Sequence, residues 1–213
     1  EFTFTFPGLI SLALVQLGLF ATAVPLLQAR DRGTLRYLSL TPLSVAEILA
    51  GQLSMRVVIA LVQVLLILAA GSTVLELLPW QWFAVTGVAL LGILLLVSIG
   101  YAIAGAVTSM QMGMAVILVA NFSMLMGGNI FIDANASTAQ YVIACLIPIS
   151  FLSDMFRQVI TEQNGLWPLW LDAVMILFYS AIAIVVALRT FNFDTVKRSA
   201  GGRGWQLRRA GSV

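Results

Sequence analysis

Five long apolar runs, separated by short polar stretches, dominate the hydropathy pattern of this chain. The runs cover residues 6–27, 57–78, 83–110, 114–132 and 167–188. A helix needs about 20 mostly apolar residues to cross the hydrocarbon core of a bilayer, and each run is long enough to do so. The pattern therefore predicts an all-α integral membrane protein with five transmembrane helices.

Composition supports this prediction and removes several classes of function. Of the 213 residues, 61% are hydrophobic and 9% are charged, whereas soluble domains carry about 25% charged residues. The chain has no His and a single Cys. These counts exclude a metal site built from His and Cys, a disulfide within the chain and a Ser-His-Asp catalytic triad. We expect neither catalytic residues nor a bound metal.

One charged stretch, Gln28–Arg56, separates the first two apolar runs. Leu35 and Leu38 lie three residues apart in it, so they share one face of a short surface helix. Either Thr41–Pro42 or the capping box Ser44–Glu47 then begins the helix that leads into the second run. Two interpretations remain for this stretch: a docking helix for a cytoplasmic partner, or a solvated loop near lipid head groups.

The distribution of basic residues predicts the orientation of the chain. If five helices cross the membrane, the first interhelical loop and the C-terminal tail lie on the same side. That side then holds ten of the eleven basic residues: Arg30, Arg32, Arg36, Arg56, Arg189, Lys197, Arg198, Arg203, Arg208 and Arg209. Basic loops remain in the cytoplasm, so we expect a multi-pass protein of the cell membrane with a cytoplasmic C-terminus.

We assign residues 1–198 to one transmembrane domain. The Gly- and Arg-rich residues 199–213 form a basic cytoplasmic tail whose composition is typical of disorder.

The segment Asp133–Leu166, on the predicted outer side, is too apolar for an ordinary loop. Its apolar stretch is too short to span and ends at Pro148, so we predict short re-entrant helices there. Asp154 and Arg157 lie three residues apart in the second of these. They form either an exposed local ion pair, which contributes about 0.3–0.5 kcal/mol, or a lock on an external gate.

Three sequence motifs, in order along the chain, resemble one family. Phe6–Ile10 (FPGLI) is similar to the F-x-x-P-G entry into a second helix, and Arg30–Leu53 combines RDRGTL, TP and EILAGQL. Ile147–Arg157 (IPISFLSDMFR) is similar to a P-x-[TS]-[YF]-x-x-D-x-x-R segment before the last span. Together they resemble the permeases of ABC-2 type transporters. Arg36 departs from the Glu that this family often has after Gly-Thr-Leu.

The resemblance implies a six-helix fold, so we expect an earlier transmembrane helix to be missing from this chain. It also implies a homo- or heterodimer of permease subunits in membrane lipid, each paired with an ATP-binding cassette ATPase. No G-x-x-x-x-G-K-[ST] loop occurs here, so the ATPase, with its ATP and Mg, is a separate chain or a part outside this sequence. We expect no cofactor on this chain and no nucleic-acid partner.

The resemblance implies roles for three groups of residues. The ATPase-coupling helix would contain Arg30, Asp31, Arg32, Gly33, Thr34, Leu35, Arg36 and Leu38. Substrate-pathway contacts on the helices near the expected dimer axis would be Gln16, Phe20, Asn121, Met124 and Asn129. The outer gate would contain Pro148, Asp154 and Arg157.

The expected function is an exporter permease for a hydrophobic or amphipathic substrate, such as a drug, a lipid or a lipid-linked compound. The alternative is a membrane scaffold or facilitator that does not depend on ATP. The predicted spans carry no acidic residue at mid-membrane, which argues against a proton-coupled transporter.

Overall fold

The computed structural model describes residues 2–31, 45–75, 77–107, 109–131, 137–162 and 165–190. These ranges are helical and contain no β-strand. The helices are α1 (Phe2–Val15), a π-helical segment (Gln16–Phe20), α2 (Ala21–Asp31), α3 (Val45–Gly71), α4 (Pro79–Ala106), α5 (Met110–Gly127), α6 (Thr138–Leu146), α7 (Ile149–Thr161) and α8 (Leu169–Thr190). The predicted tail, 199–213, lies outside the described residues.

Five helical stretches are long and apolar enough to cross a membrane, which confirms the predicted all-α membrane fold. They are Thr5–Ala29, Ser54–Gly71, Pro79–Ala106, Met110–Gly127 and Leu169–Thr190. The first combines α1, the π-helical segment and α2 into one continuous span.

Capping groups explain why two spans begin before their apolar runs. Pro79 occupies the start of α4, where its missing N–H costs nothing, and the Gln81 side chain accepts a hydrogen bond from the Leu78 N–H at 2.7 Å. The Ser109 hydroxyl accepts from the Met112 N–H at 3.3 Å and begins α5. Hydropathy sums do not register these local contacts, so the predicted starts at 83 and 114 were a few residues late.

Helix α4 is the centre of the molecule. Over its most apolar window 56% of the residues are buried, against 22% for both α5 and α8. It packs against the first span, α3, α5, α7 and α8. The other helices therefore surround α4 and turn exposed apolar side chains outward, including Leu66, Val119 and Leu188.

The first span and α4 approach each other through glycines. A Cβ added at Gly100 would lie 2.5 Å from the Gly18 carbonyl oxygen and 2.9 Å from the Thr22 Cβ. A Cβ at Gly18 would collide with the backbone and side chain of Leu96. Small residues allow such backbone contact in membranes, where packing and hydrogen bonds, rather than expulsion of water, hold helices together.

Helices α6 and α7 form a bent pair, with an angle of 103° between them. The start of α7 contacts the end of α5, since the Ser150 hydroxyl donates to the Gly127 carbonyl at 3.4 Å. The end of α7 contacts the start of α4, since the Gln81 amide donates to the Val159 carbonyl at 3.1 Å. Both contacts lie at the same end of the bundle, which confirms the predicted re-entrant arrangement.

The Gly18–Gly100 contact generates a prediction about stability. Gly100→Ala should lower the free energy of unfolding by about 1–3 kcal/mol, because the added methyl group meets backbone that cannot move independently. Unfolding in mixed detergent micelles would measure this.

Gly87→Ala is the matched control on the same helix, because a Cβ at residue 87 meets nothing within 4 Å. This variant should be neutral or more stable by up to about 1 kcal/mol, because Ala favours helix over Gly. Equal effects of the two substitutions would contradict the close packing of these helices.

Candidate functional site

The predicted coupling segment connects α2 to α3. The backbones of Arg30 and Asp31 form the last turn of α2, and the Asp31 side chain is exposed. The remaining predicted coupling residues, Arg32, Gly33, Thr34, Leu35, Arg36 and Leu38, lie outside the described residues. The structure resumes at Val45, the first residue of α3.

Arg56 of α3 holds the two helices that flank this segment against α4. Its side chain is 7% exposed, and its Nε and Nη2 donate to the Ala21 carbonyl oxygen at 3.2 and 3.1 Å. Its Nη1 donates to the Tyr101 hydroxyl of α4 at 2.6 Å, and the guanidinium carbon lies 5.5 Å from the centre of that ring. One buried cation thus joins α2, α3 and α4.

Pro25 explains why this cation is needed. In an α-helix the carbonyl of residue 21 would accept a hydrogen bond from the N–H of residue 25, and Pro25 has no N–H. Hydrocarbon offers no water as a substitute donor. Arg56 supplies the missing donors from a neighbouring helix. The Ala21 carbonyl is therefore not left unpaired, and the buried charge of Arg56 has a hydrogen-bond acceptor.

The sequence analysis counted Arg56 among the basic residues of the first interhelical stretch, although it also predicted that a helix begins before this residue, as α3 does. The residue lies inside α3, within the span Ser54–Gly71, because its charge is fully engaged by buried oxygen atoms and an aromatic ring. Pro25 was the sequence signal for this contact, because a Pro inside a span leaves one carbonyl of that helix in need of a donor from another helix.

The predicted pathway residues fall into two groups. Gln16 is exposed and Phe20 is half-buried, and both lie in the π-helical segment. Asn121 is half-buried on α5, and Met124, one turn further, is 6% exposed. Helix α5 packs against the π-helical segment, so these four residues share one region of the bundle.

Asn121 has a buried amide nitrogen with no hydrogen-bond partner in the described part of the chain. An unsatisfied buried donor is costly, so it commonly indicates a partner outside the structure.

Asn129, the fifth predicted pathway residue, lies with the gate residues at the end of the bundle that holds α6 and α7. It is fully buried, with a positive φ of 53°, just beyond the end of α5. Its carbonyl oxygen accepts from the Ser153 hydroxyl at 3.1 Å and from Arg157 Nη2 at 3.0 Å. The structure therefore brings Asn129 and Arg157 together through the backbone of one and the side chain of the other.

The predicted gate residues belong to a buried polar cluster rather than to an exposed surface. Pro148 precedes α7 at the bend, while Asp154 and Arg157 are 1% and 9% exposed. The Asp154 carboxylate accepts from the Gln158 amide at 3.1 Å and from the Trp167 N–H at 3.2 Å. These exposed fractions exclude an exposed ion pair, whereas the lock on an external gate stays a prediction.

Sequence reasoning missed the other half of this cluster. Asp172, in the first turn of α8, is fully buried and accepts from the Gln158 amide at 2.8 Å. Gln158 also donates to the Trp167 carbonyl at 3.0 Å. The i, i+4 spacing of Asp154 and Gln158 was a usable signal, whereas the Asp154–Asp172 contact depends on the fold of the intervening loop. Among the described residues, no three His, Cys, Asp or Glu side chains are grouped as metal ligands.

The Pro25–Arg56 contact can be tested with a double-mutant cycle. Arg56→Met should lower the free energy of unfolding by about 2 kcal/mol, because the Ala21 carbonyl loses its donors. In a Pro25→Ala background the same substitution should cost less than half as much, since residue 25 then supplies an N–H. Equal costs in the two backgrounds, measured by unfolding in mixed micelles, would show that Arg56 does not compensate for Pro25.

Comparison with known proteins identifies the family. A search of curated proteins found no match. Residues 2–189 match the family described as ABC-2 family transporter protein. This match includes all of the described helices except the last residue of α8. The chain therefore belongs to the ABC-2 transporter family, and it is a multi-pass membrane permease of an ABC transporter, a system that includes an ATPase partner.

Proposed function

We propose that this chain is the permease subunit of an ATP-driven exporter of the cell membrane, with a hydrophobic or amphipathic substrate. A separate ATPase subunit docks on the cytoplasmic side, where the segment around Arg30–Leu40 acts as the coupling helix. A second permease subunit completes the pathway. The C-terminus then lies in the cytoplasm, as the distribution of basic residues predicts.

The Arg56 contact is the observation that carries the coupling proposal. It joins α3, at its twelfth residue, to α2 and α4, so the two helices that flank the coupling segment are both linked to the helix at the centre of the bundle. A displacement of that segment by an ATPase would therefore move α2, α3 and α4 together. A loosely attached loop could not transmit such a movement.

The surface of α5 supports the proposed pathway and dimer. Only 22% of its apolar window is buried, which leaves a wide apolar face for a second subunit. Asn121 is half-buried on this helix, and its amide nitrogen is enclosed without a hydrogen-bond partner among the described residues. A movement of α5 that opens this region would let a polar group of the substrate accept a hydrogen bond from it. A neutral amide beside apolar side chains suits a substrate that is mainly apolar.

The coupling assignment predicts the effect of added charge. Replacing Gly33, Thr34 and Leu35 with Glu should weaken binding of the ATPase at least tenfold, because a buried unpaired charge costs more than about 1.4 kcal/mol. Co-purification of the co-expressed ATPase and ATP hydrolysis by the complex are the measurements.

The matched control carries the same three charges at the opposite end of the bundle. Ser72, Thr73 and Val74 are exposed between α3 and α4, so their replacement with Glu should leave ATPase binding unchanged. ATPase binding and coupled transport that survive the change at 33–35 would reject the coupling assignment. Failure of any ATPase to bind the unaltered chain would instead favour an ATP-independent scaffold or facilitator.

Asn121→Leu tests the pathway without straining the backbone, whereas Asn129→Leu would place a branched side chain at a positive φ. Asn121→Leu should leave assembly intact and change the relative export of polar and apolar dyes by about tenfold, the effect of one lost hydrogen bond. Ser123→Ala, at an exposed position of α5, is the control and should leave the profile unchanged. Lost assembly with an unchanged dye profile would assign Asn121 to packing.

A further inference from the structure

Two buried carboxylates meet where α7 contacts α8. Asp154 is 1% exposed and Asp172 is fully buried, and one Gln158 nitrogen lies 3.1 and 2.8 Å from an oxygen of each. The two carboxyl groups therefore share one hydrogen-bond donor. A Cβ at Gly165 would collide with both the Gln158 amide and the Asp154 carboxylate, so the loop before α8 is shaped around this pair.

The pair has fewer hydrogen-bond donors than acceptors. The Gln158 amide has two hydrogens and three acceptors: Asp154 Oδ2, Asp172 Oδ2 and the Trp167 carbonyl oxygen. The Trp167 N–H adds one more donor, to Asp154 Oδ2. In the described part of the chain, neither Asp154 Oδ1 nor Asp172 Oδ1 has a donor, although both atoms are buried. A proton bound to one of the carboxyl groups would add the donor that the pair lacks.

Few other ionisable groups face this pair. The described parts of α1 and α5 carry none, and Tyr101 of α4 lies at the far end of its helix. On α7, Arg157 donates to the Asn129 carbonyl, and Glu162 beyond its end is exposed. On α6 and α8, Tyr141 accepts from the Trp167 indole and Tyr179 donates to the Leu146 carbonyl, while Arg189 lies at the opposite end of α8.

We propose that Asp154 and Asp172 form a proton-binding site, in which one shared proton holds α7 against α8. Two carboxylates this close and this buried do not both remain ionised, because each disfavours the charge on the other. The proton binds to one carboxyl oxygen and is donated to the other group, so the pair carries a single negative charge. Gln158 and the Trp167 N–H stabilise that charge.

The site links the contact between α7 and α8 to the pH at this side of the membrane. Separated and hydrated, the two acids would bind no proton near neutral pH, whereas the closed pair binds one. Raising the pH therefore favours separation, and lowering it favours the closed contact. Glu162 is exposed and Gly165 is half-buried, so the pair lies just beneath the aqueous surface, where protons can reach it.

Thermal unfolding of the purified full chain in detergent tests this site. Between about pH 6 and about pH 9 the wild-type midpoint should fall by about 4 °C or more. Asp172→Asn should reduce that fall to less than half, because the amide replaces the proton as donor to Asp154. Glu162→Gln, which removes an exposed carboxylate near the end of α7, should retain the wild-type dependence.

A flat wild-type profile, or an equal fall in Asp172→Asn, would overturn the proposal. If sodium chloride, compared with choline chloride, restores the midpoint at about pH 9, then a sodium ion rather than a proton occupies the site.

Infrared spectra of the wild type keep the test decisive if the variants do not fold. The carbonyl stretching band of a protonated carboxylic acid should be present at about pH 7 and absent at about pH 9. Absence of that band at neutral pH would also overturn the proposal. None of these readouts requires ATPase binding or transport, so the site can fail independently of the proposed function.

Discussion

In hydrocarbon, each backbone carbonyl of a spanning helix needs a hydrogen-bond donor from the protein, normally an N–H of the same helix. The packing of three helices in this protein depends on one carbonyl that lacks such a donor. Pro25 deprives the Ala21 carbonyl of its usual partner, and Arg56 replaces that partner from α3. Because the same guanidinium also reaches Tyr101, the repair of one hydrogen bond fixes three helices relative to one another. An isolated Arg in this position would be costly, but here its charge replaces a backbone donor.

Polar contacts and glycine contacts act side by side in this bundle. The first span and α4 touch directly at Gly18 and Gly100, beside the hydrogen bonds of Arg56 to Ala21 and Tyr101. At the end that holds α6 and α7, helix α7, which is too short to span, is placed in the protein interior. Its polar side chains donate to carbonyl groups at the end of α5. Its own Val159 carbonyl accepts from Gln81 of α4. Polar contacts thus set the positions of the helix ends, and small residues set the distance between helices.

The sequence predicted the parts of the fold that depend on hydropathy averaged over many residues. Apolar runs located the five spans, although the second run extends seven residues beyond the end of α3 at Gly71, and Pro148 with a short apolar stretch predicted the bent pair. The contacts of Arg56 were not predicted, because a charge near a helix end is read as solvated unless its partner is known. Asp172 was missed for a similar reason, since its neighbours Asp154 and Gln158 come from another helix. Most of the predicted coupling residues lie outside the described ranges, so their role remains a prediction.

The bend between α6 and α7 determines whether the chain crosses the bundle an odd or an even number of times. Because the pair returns to the end of the bundle at which it began, it adds no crossing, and the described helices cross the bundle five times, an odd number. The start of α1 and the end of α8 consequently lie on opposite faces of the membrane. Two reporter domains attached at these points would be separated by the bilayer. If α6 and α7 formed one straight span, the start of α1 and the end of α8 would lie on the same face. This one angle therefore determines whether the two ends of the domain face the same compartment.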